Sequence, residues 1–252
     1  MFQLFVQKKS YKRFWEVDFL RGLAVVFMII FHFLYDLNYF DIYKINLYSG
    51  PILVYLYFIG STFLLLVGVS LTLSYSRIEK ILSKKEIHLK FIKRGLMIFS
   101  LGLFITLVSW LYLGEGFIIF GVLHCIGISI MLAIPFLRYR YMNLLFGIIL
   151  IILGIILKNF TFDFNYLVFL GFTPNQFYTV DYFPLLPWFG VVLVGIFIGN
   201  CLYVNNKRQF SLKNLDKFRF IRFFGYLGRH SLIIYFIHQP VMLALFHLYF
   251  II

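Results

Sequence analysis

Four ionisable side chains share one face of the first apolar segment of this sequence. Asp18, Arg21, His32 and Asp36 lie within the stretch EVDFLRGLAVVFMIIFHFLYDLNYF. In an α-helix, which turns about 100° per residue, the four positions fall within an arc of about 60°. A charged side chain within a membrane helix normally faces the protein interior or a wet cavity and marks a functional site. The pattern predicts that this helix lines a chemical site as well as anchoring the chain.

His32 and Asp36 are one helical turn apart, so the carboxylate can accept the imidazole N–H. Such a partner fixes the tautomer and raises the basicity of the ring, which suits a general base or a covalent acyl carrier. Arg21 precedes His32 by eleven residues, about 16 Å along the helix. Asp18 is placed to pair with Arg21, either in the site or as an interfacial ion pair that sets helix depth. A packing hydrogen bond to another helix is the alternative role for His32.

Candidate substrate-binding residues also occur in three later apolar segments. His124 stands early in FGVLHCIGIS, where a substrate contact and a helix–helix hydrogen bond are equally open. His238 and Gln239 precede Pro240, whose missing N–H frees a carbonyl and bends a helix, often beside a cavity. Trp188, in FPLLPWFG, fits an aromatic interface belt or the cover of a pocket.

The composition is that of an integral membrane protein. Of 252 residues, 62% are hydrophobic and 13% are charged, and the mean hydropathy is +0.91. A membrane-spanning helix needs about 20 apolar residues. The sequence therefore predicts an all-α, polytopic helix bundle in the cell membrane, forming a single domain over residues 1–252. The seven predicted spans are 17–40, 51–75, 94–113, 117–137, 141–158, 184–204 and 227–251.

The basic residues lie on alternate connections between these segments. The leading segment has four, the 76–94 connection seven, the 138–140 turn two and the 205–229 connection seven, whereas the opposite connections hold only Lys44 and Lys158. The positive-inside rule then places the N-terminus inside and the C-terminus outside. The net charge of +13 favours contact with anionic membrane lipids, not nucleic acid. Cys125 and Cys201 have no metal-ligand spacing and give no argument for a disulfide. Neither a metal nor a permanently bound cofactor is expected.

Three stretches carry a resemblance to known enzymes: RFWEVDFLRGLAVVFMIIFHFLYDL, FPLLPWFGVVLVGIFIGN and LGRHSLIIYFIHQP. Together they resemble the catalytic-domain family of heparan-α-glucosaminide N-acetyltransferase, in its small prokaryotic branch. The spacing of Arg21 and His32 also resembles the first-helix R-x10-H motif of the acyltransferase-3 membrane enzymes.

The resemblance implies transfer of an acyl group, typically acetyl, from cytosolic acetyl-CoA to an acceptor at the outer face. Acyl-CoA would be a co-substrate, and the acceptor a sugar, an amine or a lipid-linked glycan. Arg21 would lie near the CoA, and His32 would act as base or acyl carrier. Longer lysosomal members carry the acetyl-accepting histidine after the first helix, and no histidine occurs here around Asn46 and Leu47. The role of His32 therefore depends on the acyltransferase-3 pattern.

Two other classes of membrane protein also fit these residues. Buried His, Asp and Arg side chains also form the proton relays of transporters and flippases. A non-catalytic membrane assembly protein would use the same residues for stability alone. Binding of acyl-CoA separates the acyltransferase from both. The acceptor, the acyl length, N- versus O-transfer and the oligomeric state, monomer or homodimer, are left open by the sequence.

Overall fold

A computed structural model describes residues 13–47 and 49–250. Within that part of the chain the fold is all-helical, apart from a short antiparallel hairpin of β1 (Tyr203–Val204) and β2 (Lys207–Arg208). Lys8, Lys9 and Lys12, which contribute to the predicted orientation, lie outside the described residues. The helices are α1 (Trp15–Tyr39), α2 (Gly50–Ile78), α3 (Lys84–Leu113), α4 (Val122–Leu132), α5 (Tyr141–Leu157), α6 (Leu185–Leu202), α7 (Arg219–Arg229) and α8 (Ser231–Phe250).

Five of these helices are long and apolar enough to cross a membrane, namely α1, α2, α3, α6 and α8. The all-α, polytopic class is therefore confirmed. The predicted count of seven spans is not confirmed, because α4 has 11 residues and α5 has 17. Both are apolar, but α4 is shorter than the range of about 17–25 residues that a span requires, and α5 lies at its lower limit.

The described residues form two compact units. Residues 13–29 and 214–250 belong to the first, and residues 30–213 to the second. The long helix α1 contributes its first half to one unit and its second half to the other.

In the first unit, α1 and α7 cross with their backbones in contact. A Cβ placed on Gly22 would lie 1.9 Å from the carbonyl oxygen of Phe224, and one placed on Gly228 would lie 1.8 Å from that of Asp18. Around this crossing, the ring of Phe19 packs against Phe224 at a centroid distance of 5.6 Å. Only residues without a side chain allow this approach.

The core of the second unit is centred on α6, whose Val192, Leu193 and Ile196 side chains are fully buried. Helix α2 packs on one side of α6, where a Cβ on Gly68 would meet the carbonyl oxygen of Val192 at 2.2 Å. Helix α5 packs on another side. A Cβ on Gly195 of α6 would lie 2.3 Å from the carbonyl oxygen of Leu65 in α2, so this glycine also allows close packing of the two helices.

One predicted span lies inside a longer helix, and another is interrupted. Helix α3 begins at Lys84, before the predicted span 94–113, because Ser83 and Glu86 form a capping box that satisfies the first free N–H groups. The predicted span 227–251 is interrupted, since α7 ends at Arg229 and α8 begins at Ser231. The basic residues before the span 94–113 are therefore part of α3, whereas the arginines before α8 belong to the separate helix α7.

Candidate functional site

Helix α1 carries all four residues of the predicted charged face. Asp18 and Asp36 are buried, Asp36 with only 1% of its surface exposed, and Arg21 and His32 are half-buried. Apolar side chains at other positions of the same helix are exposed, including Leu20, Ile30 and Phe33. In an amphipathic helix of a soluble protein, the apolar side is buried and the polar side is exposed. Here the ionisable side chains are the buried ones, which suits a helix whose apolar side faces lipid.

Asp18 and Arg21 form an ion pair. The Arg21 Nη1 atom donates to Asp18 Oδ1 at 3.1 Å and to the carbonyl oxygen of Gly228 at 3.4 Å. The predicted pairing is therefore present. Because Gly228 lies in the last turn of α7, the guanidinium also joins α1 to the carboxyl end of that helix, where cations are favoured.

A cleft of about 510 Å³ opens beside this ion pair, within the first unit. Its walls come from the start of α1, from α7 and from Asp216, which precedes α7. Three arginines face it, and all three are exposed. The lining residues are Trp15, Asp18, Asp216, Arg219, Ile221, Arg222, Phe223, Gly225, Tyr226 and Arg229. The sequence reasoning counted these arginines only as part of a basic connection.

His32 and Asp36 lie one turn apart on α1, in the part of the helix that belongs to the second unit. The His32 ring packs edge-to-face against the adjacent Phe31 at a centroid distance of 5.9 Å. Asp36 is enclosed by protein, so its carboxylate is screened little by water. Side chains four residues apart on a helix are neighbours, so His32 and Asp36 lie on the same face of α1.

Both ring nitrogens of His124 bond to protein groups. Its Nδ1 accepts the N–H of Gly121 at 3.2 Å, and its Nε2 lies 3.3 Å from Thr106 Oγ1. The Thr106 hydroxyl donates its own proton to the carbonyl oxygen of Ile118 at 2.7 Å, so His124 Nε2 is the donor to Thr106. The neutral ring is therefore protonated on Nε2. These contacts favour the helix-joining role among the two that the sequence left open.

The surroundings of His124 are aromatic and closely packed. Phe120 stacks on the ring at 5.5 Å, Phe99 meets it edge-to-face at 5.4 Å, and a Cβ on Gly102 would come within 3.1 Å. His124 occupies the third position of α4 and bonds back to the N-cap residue, as a Glu or Gln does in a capping box.

Asp181 is a polar residue at this helix end that the sequence reasoning missed. Its Oδ2 accepts the N–H of Val122 at 3.2 Å, in the first turn of α4. Anionic side chains at a helix N-terminus bond the free N–H groups and complement the helix dipole. An acidic residue in an otherwise aromatic connection, shared there only with Asp163, was the available signal.

The segment that carries Asp181 runs parallel to the residues before α4. The Val180 N–H donates to the carbonyl oxygen of Gly116 at 2.9 Å, and the Phe183 N–H donates to that of Phe120, also at 2.9 Å. Further along, the Tyr182 hydroxyl donates to the carbonyl oxygen of Val168 at 2.7 Å. Burial raises the pKa of Tyr182, so this hydroxyl keeps its proton. The connection 159–184 is thus an ordered part of the second unit.

Trp188 lies inside the protein, with 6% of its surface exposed. Its ring packs against Phe183 at 4.8 Å and stacks on Tyr57 at 6.0 Å. The interpretation as an interface-belt residue is therefore wrong, because belt aromatics lie on the lipid-facing surface. The surroundings of Trp188 and His124 adjoin, because Phe183, which packs on Trp188, donates its N–H to the carbonyl oxygen of Phe120, which stacks on His124.

His238 and Gln239 are half-buried in α8, directly before Pro240. The Nδ1 atom of His238 lies 2.6 Å from the carbonyl oxygen of Tyr235 and must be the donor, since a carbonyl only accepts. In the neutral ring, Nε2 therefore carries no hydrogen and is the atom that can accept a proton.

The fold and these side chains define a class: an all-helical, polytopic membrane protein with ionisable residues buried in its helices. Residues 13–240 match the family described as heparan-alpha-glucosaminide N-acetyltransferase, catalytic. The chain belongs to this family, and thus to a group of membrane enzymes of the acetyltransferase type. Searches among curated proteins and among solved structures gave no match.

Proposed function

We propose that this protein transfers an acetyl group from cytosolic acetyl-CoA to a hydroxyl or amine of an acceptor at the outer face of the membrane. The family match, which covers the whole of α1 and its ionisable face, is the observation that carries the proposal. The acceptor class is a sugar, an amine or a lipid-linked glycan. We do not propose heparan sulfate as the acceptor for this chain.

His32 is the proposed base. Its ring takes the proton from the acceptor O–H or N–H as that atom bonds to the acetyl carbon. The carbon–sulfur bond of the thioester then breaks, and the CoA thiolate leaves and takes up the proton held by the ring. Asp36, enclosed in protein one turn away, stabilises the imidazolium that forms between these two events.

Arg21 and Asp18 are proposed to hold the part of the protein where acetyl-CoA, the acyl donor, binds. The Arg21 guanidinium, held by Asp18, fixes the start of α1 against α7, beside the cleft that three arginines line. His238 and Gln239 are proposed to contact the acceptor or the thioester carbonyl, since His238 presents Nε2 as its basic atom. For His124 and Trp188, the hydrogen bonds and ring contacts support a role in holding the second unit together.

Acetyl transfer by the purified 252-residue chain tests the proposal. The protein, in lipid nanodiscs, is given acetyl-CoA labelled in the acetyl group, together with envelope extract of the source cells as acceptor. Label is expected to move to the extract with the wild type and with His247→Ala, which alters an exposed histidine of α8. His32→Ala is expected to lower the rate by about 100-fold or more. Wild-type rates in His32→Ala would overturn its catalytic role.

A further inference from the structure

Helix α7 presents a basic face that the transfer chemistry does not use. Arg219, Arg222, Tyr226 and Arg229 fall within an arc of about 80° on a helix of 100° per residue. All four line the cleft of the first unit, and the three guanidinium groups are exposed there. Contact between α7 and α1 at Gly22 and Gly228 fixes this face relative to the opposite wall.

The charge of the cleft favours an anion. Three arginines line it against two carboxylates, Asp18 and Asp216. Of these carboxylates, Asp18 is already paired with Arg21, which is not itself a lining residue. Arginine binds phosphate with two parallel N–H groups and is the side chain best suited to a phosphate ester.

Aromatic side chains complete the walls. Trp15 enters from α1, and Phe223 and Tyr226 enter from α7. Aromatic faces are the usual stacking partners of a purine base. The volume of about 510 Å³ falls within the range of small-molecule sites, about 300–1,000 Å³. A ligand with an aromatic base and several phosphates matches both features.

We infer that this cleft binds the 3′-phospho-ADP portion of acyl-CoA, with the arginines on the phosphates and Trp15 or Tyr226 on the adenine. The inference rests on the proposed function for the choice of CoA over other nucleotides. It also agrees with the predicted orientation, which places the 205–229 connection on the cytosolic side, where CoA is found.

Anionic lipid is the other source of the same chemistry, because α7 also has the pattern of a helix that lies on a membrane surface. Phe220, with 62% of its surface exposed, stands to one side of the basic face. A lipid headgroup would use the arginines without the aromatic wall and without the 3′-phosphate of CoA. These two differences separate the lipid from the nucleotide in an experiment.

Calorimetric titration of the full-length protein in phosphatidylcholine nanodiscs tests the inference. The probes are CoA, 3′-dephospho-CoA and 3′,5′-ADP. We expect 3′,5′-ADP to bind and Arg222→Ala to weaken both it and CoA by about tenfold or more. Arg222→Lys is expected to restore part of the affinity, because it keeps the charge but loses the paired N–H geometry. Lys217→Ala, an exposed neighbour outside the cleft, is the matched control and should bind as the wild type does.

The outcomes separate this site from the function on which it rests. Arginine-dependent binding of 3′,5′-ADP supports the site even if no acetyl transfer is found, in which case the proposed reaction fails alone. If both Arg222→Ala and Arg219→Ala keep the wild-type affinity for CoA and still transfer acetyl groups, the site is overturned. The proposed reaction then still stands. If the arginine variants lose binding to phosphatidylglycerol vesicles but keep the wild-type affinity for CoA, the arginines bind lipid. This result also overturns the site. Because these arginines are exposed, we expect the variants to keep the wild-type unfolding temperature.

Discussion

The backbone of Gly228 in α7 lies directly against that of Asp18 in α1. A Cβ on Gly228 would be 1.8 Å from the Asp18 carbonyl oxygen, far inside any van der Waals contact. The same Asp18 holds Arg21 through its side chain, and Arg21 in turn donates to the carbonyl oxygen of Gly228. A steric contact and a charged hydrogen bond therefore hold the same two helices together.

Enlarging Gly228 should separate these helices. Gly228→Ala is expected to destabilise the protein by about 1–3 kcal/mol, the usual cost of overpacking. The cleft walls would also move apart, so affinity for 3′,5′-ADP should fall. Thermal unfolding in detergent and calorimetric titration measure the two effects.

Gly225 in the same helix is the matched control for that substitution. Among the residues that the structure describes, a Cβ there would meet only the Arg229 Nη1 atom, at 3.6 Å, an ordinary contact. Gly225→Ala should therefore leave the unfolding temperature unchanged or slightly raised, since Ala favours helix over Gly. Equal destabilisation by both substitutions would contradict the close crossing at Gly228.

The ion pair of Asp18 and Arg21 should show energetic coupling. Arg21→Met leaves a largely buried carboxylate without its cation, and Asp18→Asn leaves the guanidinium without its acceptor charge. Each single variant should lose about 1–3 kcal/mol, a figure reduced for the partial exposure of the pair. The double variant should lose less than the sum, as measured by a double-mutant cycle of unfolding free energies. Additive losses would show that the two groups act independently.

His124 is expected to act through stability. His124→Ala removes the acceptor for the Gly121 N–H and the donor to Thr106, at a cost of about 1–3 kcal/mol. His124→Gln should recover part of this loss, because a glutamine at the third helix position bonds back to the N-cap N–H. Acetyl-CoA affinity per folded molecule should be unchanged in both. A loss of affinity in His124→Gln with unaltered unfolding would instead assign His124 to the substrate.

Asp181 should stabilise the start of α4. Asp181→Ala is expected to cost about 0.5–2 kcal/mol, the range for loss of a side-chain cap, and Asp181→Asn should cost less. Asp163, exposed in the same connection, offers the control Asp163→Ala. Thermal unfolding of the three variants gives the comparison, and equal midpoints for Asp181→Ala and Asp163→Ala would contradict the capping role.

Periodicity and composition were enough to predict part of this fold. Helix α1, with its ionisable face, α2 and α6 are long, apolar and close to the predicted bounds. Their signals are local, since hydropathy and helical spacing act within a single segment. The Asp18–Arg21 pair was predictable for the same reason, because three residues in a helix bring two side chains together.

Contacts between distant segments were not predictable in this way. The approach of α7 to α1 depends on Gly22 and Gly228, 206 positions apart, and neither glycine has a distinctive sequence context. The capping of α4 by Asp181 arises from a parallel alignment of two connections, which leaves no periodic pattern. In the sequence, the arginines of α7 look like part of a charged loop. Only the helix shows that they lie together at a cleft.

Acetyl transfer in nanodiscs by the wild type, His32→Ala and Asp36→Asn tests whether this protein is an acetyltransferase that uses His32 as its base. With labelled acetyl-CoA and envelope extract, we expect transfer by the wild type and a fall of about 100-fold or more in His32→Ala. Asp36→Asn should show a smaller loss in kcat, and both variants should keep the wild-type affinity for acetyl-CoA. Absence of both acetyl-CoA binding and transfer in folded wild-type protein would contradict the account and favour a transport or assembly role.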